Sequence, residues 1–197
     1  GVERATSDWL VFLDADDVLL AGVGEAIDAG ERAGAALVLS GGFQIMPDGS
    51  RKERRPPESF CAAPLEDPAD IFRQASRLCL TGVIVRRAAV NGGVSGSSAP
   101  VRFDPEMRTG QDTDFIRRIA EMGPVIHTRF LVGEQTVHAH RRGSNISSRG
   151  NIETRAANWL RLYDRWYHDR AREDWCKRLT YWTRQYARHG ADRAVFE

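Results

Sequence analysis

Residues 9–20 read WLVFLDADDVLL: an apolar run, then Asp14, Asp16 and Asp17, then apolar residues again. Carboxylates this close repel one another, and desolvating them without a partner costs free energy. A cation, a proton or a reacting group is the usual reason to gather them. The plainer reading is a polar turn after a strand, with Asp17 capping the next element. Two chemistries suit the cluster. An Asp-x-Asp at a strand end sends two carboxylates to one side, because side chains alternate with period two. Two hard oxygen ligands of that kind, Asp14 and Asp16, suit Mg²⁺ or Mn²⁺ bridging the diphosphate of a nucleotide. The other chemistry is an aspartyl-phosphate site, with Asp14 as nucleophile and Asp16 as general acid. An EF-hand loop starting at Asp14 is excluded: Glu25 stands in place, but Val18 and Leu19 occupy the positions of a ligand and of the turn glycine.

Two further stretches carry chemistry. In GQDTDFIRRIAEMG, Asp112 stands at a loop-to-helix junction. It reads as a helix cap, with Asp114 complementing the helix dipole. A cap and a general base are compatible, since a helix N-terminus holds a carboxylate ionised and oriented. In VHAHRRGSNISS, His138 and His140 are two apart and face one side of an extended chain. Either is within the chemistry of a metal or diphosphate ligand, and Arg141 and Arg142 are alternative phosphate contacts.

The elements that must position these residues alternate in type. Trp9–Leu13 reads as a buried strand, 22–34 as a helix stopped at Gly34, Ala35–Met46 as a strand, and PDGS at 47–50 as a turn. RKERRPPE reads as a solvated edge strand and loop, and 67–78 as a helix started by Asp67-Pro68. TGVIVRR is a further strand. A Gly/Ser-rich loop at 91–100 precedes a helix from about Asp112 to Met122, with Phe115, Ile116, Ile119 and Ala120 on one face. PVIHT and FLVGEQTVHAH read as two more strands. The pattern predicts an α/β domain over residues 1–150. After residue 150 lie all four Tyr and four of the five Trp. Trp159, Tyr163 and Trp166, then Trp175, Leu179, Trp182 and Tyr186, recur at helical spacing and predict two amphipathic helices in an extension over 151–197. Their aromatic stripes suit packing on the α/β domain, or contact with a partner or membrane surface through the many Arg on the other side.

The bulk numbers limit the function classes. With 42% hydrophobic and 28% charged residues, the 197-residue chain has the composition of a soluble globular protein. No apolar run is long enough to span a bilayer. A net charge of +1 gives no electrostatic case for nucleic acid. Cys61, Cys79 and Cys176, odd in number and widely spaced, suggest neither a disulfide framework nor a zinc site, as in a reducing cytoplasm. All basic residues but Lys52 and Lys177 are Arg.

GVERATSDWLVFLDADDVLL resembles the central segment of family 2 glycosyltransferases, inverting enzymes with a GT-A fold. TGVIVRRAAV followed by RFDPEMRTGQDTDFIRRIAEMG resembles the family's later stretch: an acceptor-side strand, a Phe-Asp pair, and an acidic dipeptide opening a helix that ends in Gly. The resemblance covers roughly residues 1–150. It implies a Rossmann-like mixed sheet flanked by helices, Asp14 on the donor's ribose or diphosphate, Asp16 on the divalent metal, and Asp112 as the base that deprotonates the acceptor hydroxyl. It departs from the family pattern at Gln111, where Glu is usual, and at Arg142, where His often stands. The implied partners are a nucleotide-sugar donor, UDP-sugar being the commonest, and a glycan or lipid-linked acceptor. The setting would be cell-envelope polysaccharide assembly, in the cytoplasm or at the inner face of the membrane.

The segment GVERATSD reads as the end of a helix and a turn, so the chain is expected to be part of a longer one. The family's first βαβ unit, which binds the nucleotide base, has no counterpart in it. LDADDVL also resembles the phosphoaspartate motif of haloacid dehalogenase-like phosphatases, with Ser40, Lys52 and the pair Asp112 and Asp114 filling the remaining roles. A non-catalytic binding module is the third class.

Overall fold

The branched apolar residues of LVLSGGFQI make β3 (Leu37–Ile45) the strand around which a six-stranded mixed sheet is built. In the computed structural model, residues 1–71, 80–93, 99–107, 110–137, 152–166 and 172–188 are described. The chain divides into two units, Gly1–Arg102 with Phe115–Ala139, and Phe103–Asp114 with His140–Glu197.

In the first unit β1 (Trp9–Val11) is followed by a turn, the two-residue β2 (Val18–Leu19) and helix α1 (Gly22–Arg32). β3 and β4 (Arg51–Arg54) form the expected hairpin across the turn at Met46–Ser50, and a short helix α2 (Glu58–Cys61) comes next. β5 (Val83–Arg86) leads directly into α3 (Arg87–Val90). The expected helix at 67–78 opens with a 3-10 turn at Pro68–Asp70, and 72–79 lie outside the described residues. The strand order is β1-β5-β3-β6-β2, with β4 paired to the second half of β3. β5 is antiparallel to β1 and β3, whereas β3 and β6 run parallel. This is an α/β unit, as the alternating elements predict, and its mixed sheet flanked by helices is the one the resemblance implies.

Two strands expected from PVIHT and FLVGEQTVHAH are one, β6 (Val125–Thr136). Its register against β3 slips: Leu39 pairs with His127, but Gly41 pairs with Leu131 and Gly42 with Gly133. The extra residues include the exposed Arg129 and Phe130, which break the buried pattern in mid-strand.

Both sheet faces are covered. On one, Ala26 of α1 packs with Ala35, Val38, Ile84 and Val132, joined by Trp9, Val11, Val23, Ile27 and Ile126. Leu37, Leu39, Val83 and Val85 alternate to the other face and are fully buried. Phe12 meets Phe115 there edge to face, ring centroids 5.4 Å apart. α1 is clamped by Trp9. A Cβ on Gly30 would stand 2.7 Å from the Trp9 ring, Trp9 Nε1–H donates to Glu31 at 2.5 Å, and the Arg86 guanidinium lies 4.5 Å from the ring centroid. As expected, α1 stops at Gly34, whose φ is +59°.

Helix α4 (Gln111–Ala120) straddles the two units: Gln111–Asp114 belongs to the second, Phe115–Ala120 to the first. Phe115, Ile116, Ile119 and Ala120 are all buried, as their spacing predicts. The second unit also contains the two predicted amphipathic helices, α5 (Ile152–Trp166) and α6 (Arg172–Arg188), which pack on each other. The buried stripe of α5 is Asn158, Leu162 and Trp166, while Trp159 and Tyr163 are half-buried beside it.

One interior group sets a pH dependence. His127 is 6% exposed on β6, its ring centroid lies 5.4 Å from that of Phe60, and its Nε2 has no hydrogen-bond partner among the described residues. Burial lowers its pKa from 6.5 to about 4. The unfolded chain therefore takes up the proton first as pH falls. The stability penalty begins below about 6.5 and is complete near 4, amounting to at most about 3 kcal/mol. Denaturant unfolding of the native protein and of His127→Phe should diverge across that window, with the variant losing less stability. Parallel profiles would contradict this.

Candidate active site

The Asp-x-Asp is not presented by an extended strand. β1 ends at Val11, and Asp14–Asp17 form a four-residue turn closed by Asp17 N–H to the Asp14 carbonyl at 3.1 Å. Asp14 and Asp16 sit on this turn with exposed side chains. Asp17 is the half-buried one, and it does not cap α1, whose N-cap Ala21 makes no side-chain cap bond. Its Oδ1 instead accepts the Thr136 N–H at 3.0 Å, and its Oδ2 accepts the Thr81 hydroxyl. The Thr136 hydroxyl donates to the Asp16 carbonyl at 2.7 Å. Val18 and Leu19 then pair with Glu134 and Gly133, and Leu20 N–H donates to the Val132 carbonyl at 2.9 Å. The acidic turn is thus fastened along the last residues of β6.

Thr81 is itself boxed in. A Cβ on Gly133 would collide with the Thr81 Cγ2 and stand 3.3 Å from the Thr81 Cβ, and one on Gly82 would stand 2.7 Å from the Ser40 carbonyl oxygen. Glycine is required at both positions by close approach, not by an unusual φ.

The turn offers two hard oxygen donors with one residue between them, the donor chemistry of a Mg²⁺ or Mn²⁺ site that keeps several water or phosphate ligands. Among the described residues no group of three or more His, Cys, Asp or Glu is placed to hold a metal. The third expected ligand, His140, and the phosphate contacts Arg141 and Arg142 lie outside the described residues, as does His138. Thr136, which bonds to both Asp16 and Asp17, precedes His138 by two residues in the chain.

In the second unit Asp112 occupies the first turn of α4, half-buried. It stands one residue inside the helix. Gly110, at φ +75°, lies just before the helix. Among the described residues the Asp112 carboxylate makes no hydrogen bond or ion pair. Asp114 differs: it is fully buried, ion-paired with Arg165 Nη1 at 2.7 Å and accepting the Trp166 Nε1–H at 3.3 Å. Arg165 Nη2 also reaches Asp104 at 2.9 Å, and Arg161 pairs with Asp104 and Glu106. The hydrogen bond from Arg165 holds the Asp104 carboxyl below the usual carboxylate range. These arginines, grouped by sequence with a membrane-facing side, are engaged with carboxylates of their own unit.

Three residues that matter here were not legible as site residues: Asp17, Thr81 and Arg165. Each acts through a partner far along the chain. Two residues named for the phosphatase alternative, Ser40 and Lys52, belong to the first unit. Ser40 is buried with its hydroxyl 2.8 Å from that of Thr128, and Lys52 is exposed on β4 opposite Gln44.

Asp17→Ala strips Thr136 N–H of its acceptor, and Gly133→Ala displaces Thr81. Each should lower unfolding free energy by about 1–3 kcal/mol. Amide exchange over 13–19 should quicken in both variants, more than over α1. Unchanged exchange there would show that the turn does not depend on these contacts.

No family model matches the chain, and no curated protein matches it. Among solved structures it is similar to that of S. aureus TarS, a glycosyltransferase, at 13% identity and a TM-score of 0.51. The match covers 94% of this chain and 29% of that one, so the chain spans under a third of the length of TarS. At this identity the likeness shows the fold, which is GT-A-like.

Proposed function

We propose that this chain carries the metal-binding carboxylates and the general base of an inverting nucleotide-sugar glycosyltransferase. The observation that supports this most is the Asp14–Asp17 turn: beside a GT-A-like sheet, one carboxylate is tied inward and the other two are left exposed on the turn. Asp14 and Asp16 would hold Mg²⁺ or Mn²⁺, with His140 as a further ligand and Arg141 and Arg142 on the diphosphate. When bound, the cation neutralises charge on the leaving nucleoside diphosphate.

Asp112 is the residue for the proton. Its carboxylate accepts the acceptor hydroxyl's proton as that oxygen bonds to the anomeric carbon. The bond from the same carbon to the diphosphate oxygen breaks, and the configuration inverts. No covalent sugar–protein intermediate is needed. The donor class is a nucleotide sugar, UDP-sugar first, and the acceptor class a glycan or lipid-linked glycan of the cell envelope. Among the described residues no helix is long and apolar enough to cross a membrane.

The test is nucleoside diphosphate release from a panel of UDP-sugars by the complete protein. Asp112→Asn should lower turnover by about 10²- to 10⁴-fold while Mn²⁺–UDP binding persists. Full turnover in Asp112→Asn would refute the base. Asp14-dependent phosphate release from p-nitrophenyl phosphate, without UDP release, would favour the phosphatase chemistry instead.

A further inference from the structure

Asp114 has no part in the chemistry just described, yet it is 0% exposed and fully engaged. A helix start needs no such residue, because an exposed carboxylate satisfies the dipole as well. A buried ion pair is also a poor source of net stability, since desolvation offsets the attraction. What it does supply is geometry. Arg165 stands between two carboxylates from different segments, with Nη1 on Asp114 at 2.7 Å and Nη2 on Asp104 at 2.9 Å. Trp166 Nε1–H reaches the other Asp114 oxygen at 3.3 Å. One turn earlier on α5, Leu162 lies against the helix entry: a Cβ on Gly110 would be 3.1 Å from its Cδ1. Glu106 N–H donates to Asp104 Oδ1 at 3.0 Å, so the acidic loop is itself folded around the residue that Arg165 holds. The first turn of α4, which carries Asp112, is therefore gripped by three successive contacts from α5, all inside the second unit.

We infer that Asp114, Arg165 and Trp166 are positioning residues for Asp112, and that α5 belongs to the catalytic machinery of the second unit. The inference rests on the transferase reading only in giving Asp112 its role as base. Asp112 and Asp114 share one helical turn, so any tilt or unwinding released at Asp114 moves the Asp112 carboxylate. Proton transfer is steep in distance, and a displacement near 1 Å is worth about 10²-fold in rate. Arg is suited to the task because its planar fork can address both carboxylates in fixed directions, which an ammonium cannot.

The test compares Arg165→Gln, Arg165→Lys and Trp166→Phe with Asp112→Asn in the complete protein, assayed by UDP release from UDP-glucose and UDP-N-acetylglucosamine well below each variant's melting temperature. Trp166→Phe keeps an aromatic ring and loses one hydrogen bond, so it retains the packing of α5. Positioning predicts a kcat lowered about 10- to 10²-fold in Arg165→Gln, with donor KM and Mn²⁺–UDP affinity within twofold. Trp166→Phe should show a smaller fall of the same kind, and Arg165→Lys a partial recovery. Crystal structures of Trp166→Phe and the parent should differ by roughly 1 Å at the Asp112 carboxylate, a readout that needs no turnover. If Asp112→Asn is inactive while Arg165→Gln and Trp166→Phe keep the parent kcat and the Asp112 position, positioning is overturned and the base assignment stands. Full activity in Asp112→Asn would instead sink the base assignment, and the catalytic meaning of the network with it.

Discussion

Like charges crowded on one short segment must be separated, neutralised or individually solvated, and the turn after β1 does this by treating its carboxylates unequally. Asp17 is turned toward the sheet, where a backbone N–H from Thr136 and a hydroxyl from Thr81 donate to it and offset the burial of its charge. Asp14 and Asp16 remain exposed. Much of the first unit depends on that division. β2 has two residues and both are exposed, so it has little packing of its own to hold it against β6. The contacts of Asp17 and Thr136 tie the turn that precedes β2 to the end of β6. The glycines at 82 and 133 are there because no side chain fits between Thr81, Ser40 and the strand beside them.

The second unit applies the same physics in the opposite arrangement. There a cation, Arg165, is the shared element and two carboxylates converge on it. Arg161 extends the network to Glu106. The surface members of this network, such as Arg161 with Glu106, contribute little stability individually. The buried member, Asp114, is the one whose removal or orphaning matters, and it lies two residues from Asp112. The pairing makes α5 part of the support for the first turn of α4, beyond its packing on α6.

Elements were legible in the sequence wherever periodicity and punctuation agreed. The hairpin at Met46–Ser50, the stop at Gly34, and the buried face of α4 from Phe115 to Ala120 all arise from local chemistry that nothing distant overrides. β6 reads as two strands in the sequence because a bulge exposes Arg129 and Phe130 in its middle, and period-two alternation has no memory across an insertion. The carboxylate cluster was legible in the sequence, but its geometry was not. Alternation along an extended strand suggested that Asp14 and Asp16 face one side, whereas a hydrogen-bonded turn gathers them. Asp17 read as a cap and proved to be the anchor, since its partners, Thr81 and Thr136, come from other elements. The aromatic pattern of α5 was offset for a similar reason: Asn158 shares the buried stripe with Leu162 and Trp166. A polar residue inside a stripe is invisible to hydropathy. Asp114 and Arg165, neutral to any local rule, needed the fold to be seen as a pair.

Asp14 and Asp16, in this reading, are left exposed in order to share a divalent cation with a nucleoside diphosphate. The most direct measurement is Mn²⁺ electron paramagnetic resonance of the complete protein, with and without UDP, in the parent and in Asp14→Asn and Asp16→Asn. A shared cation predicts protein-bound Mn²⁺ that depends on UDP in the parent and is lost or much weakened in both variants. Equal UDP-dependent binding in parent and variants would contradict it, and would leave the exposed carboxylates as turn residues only.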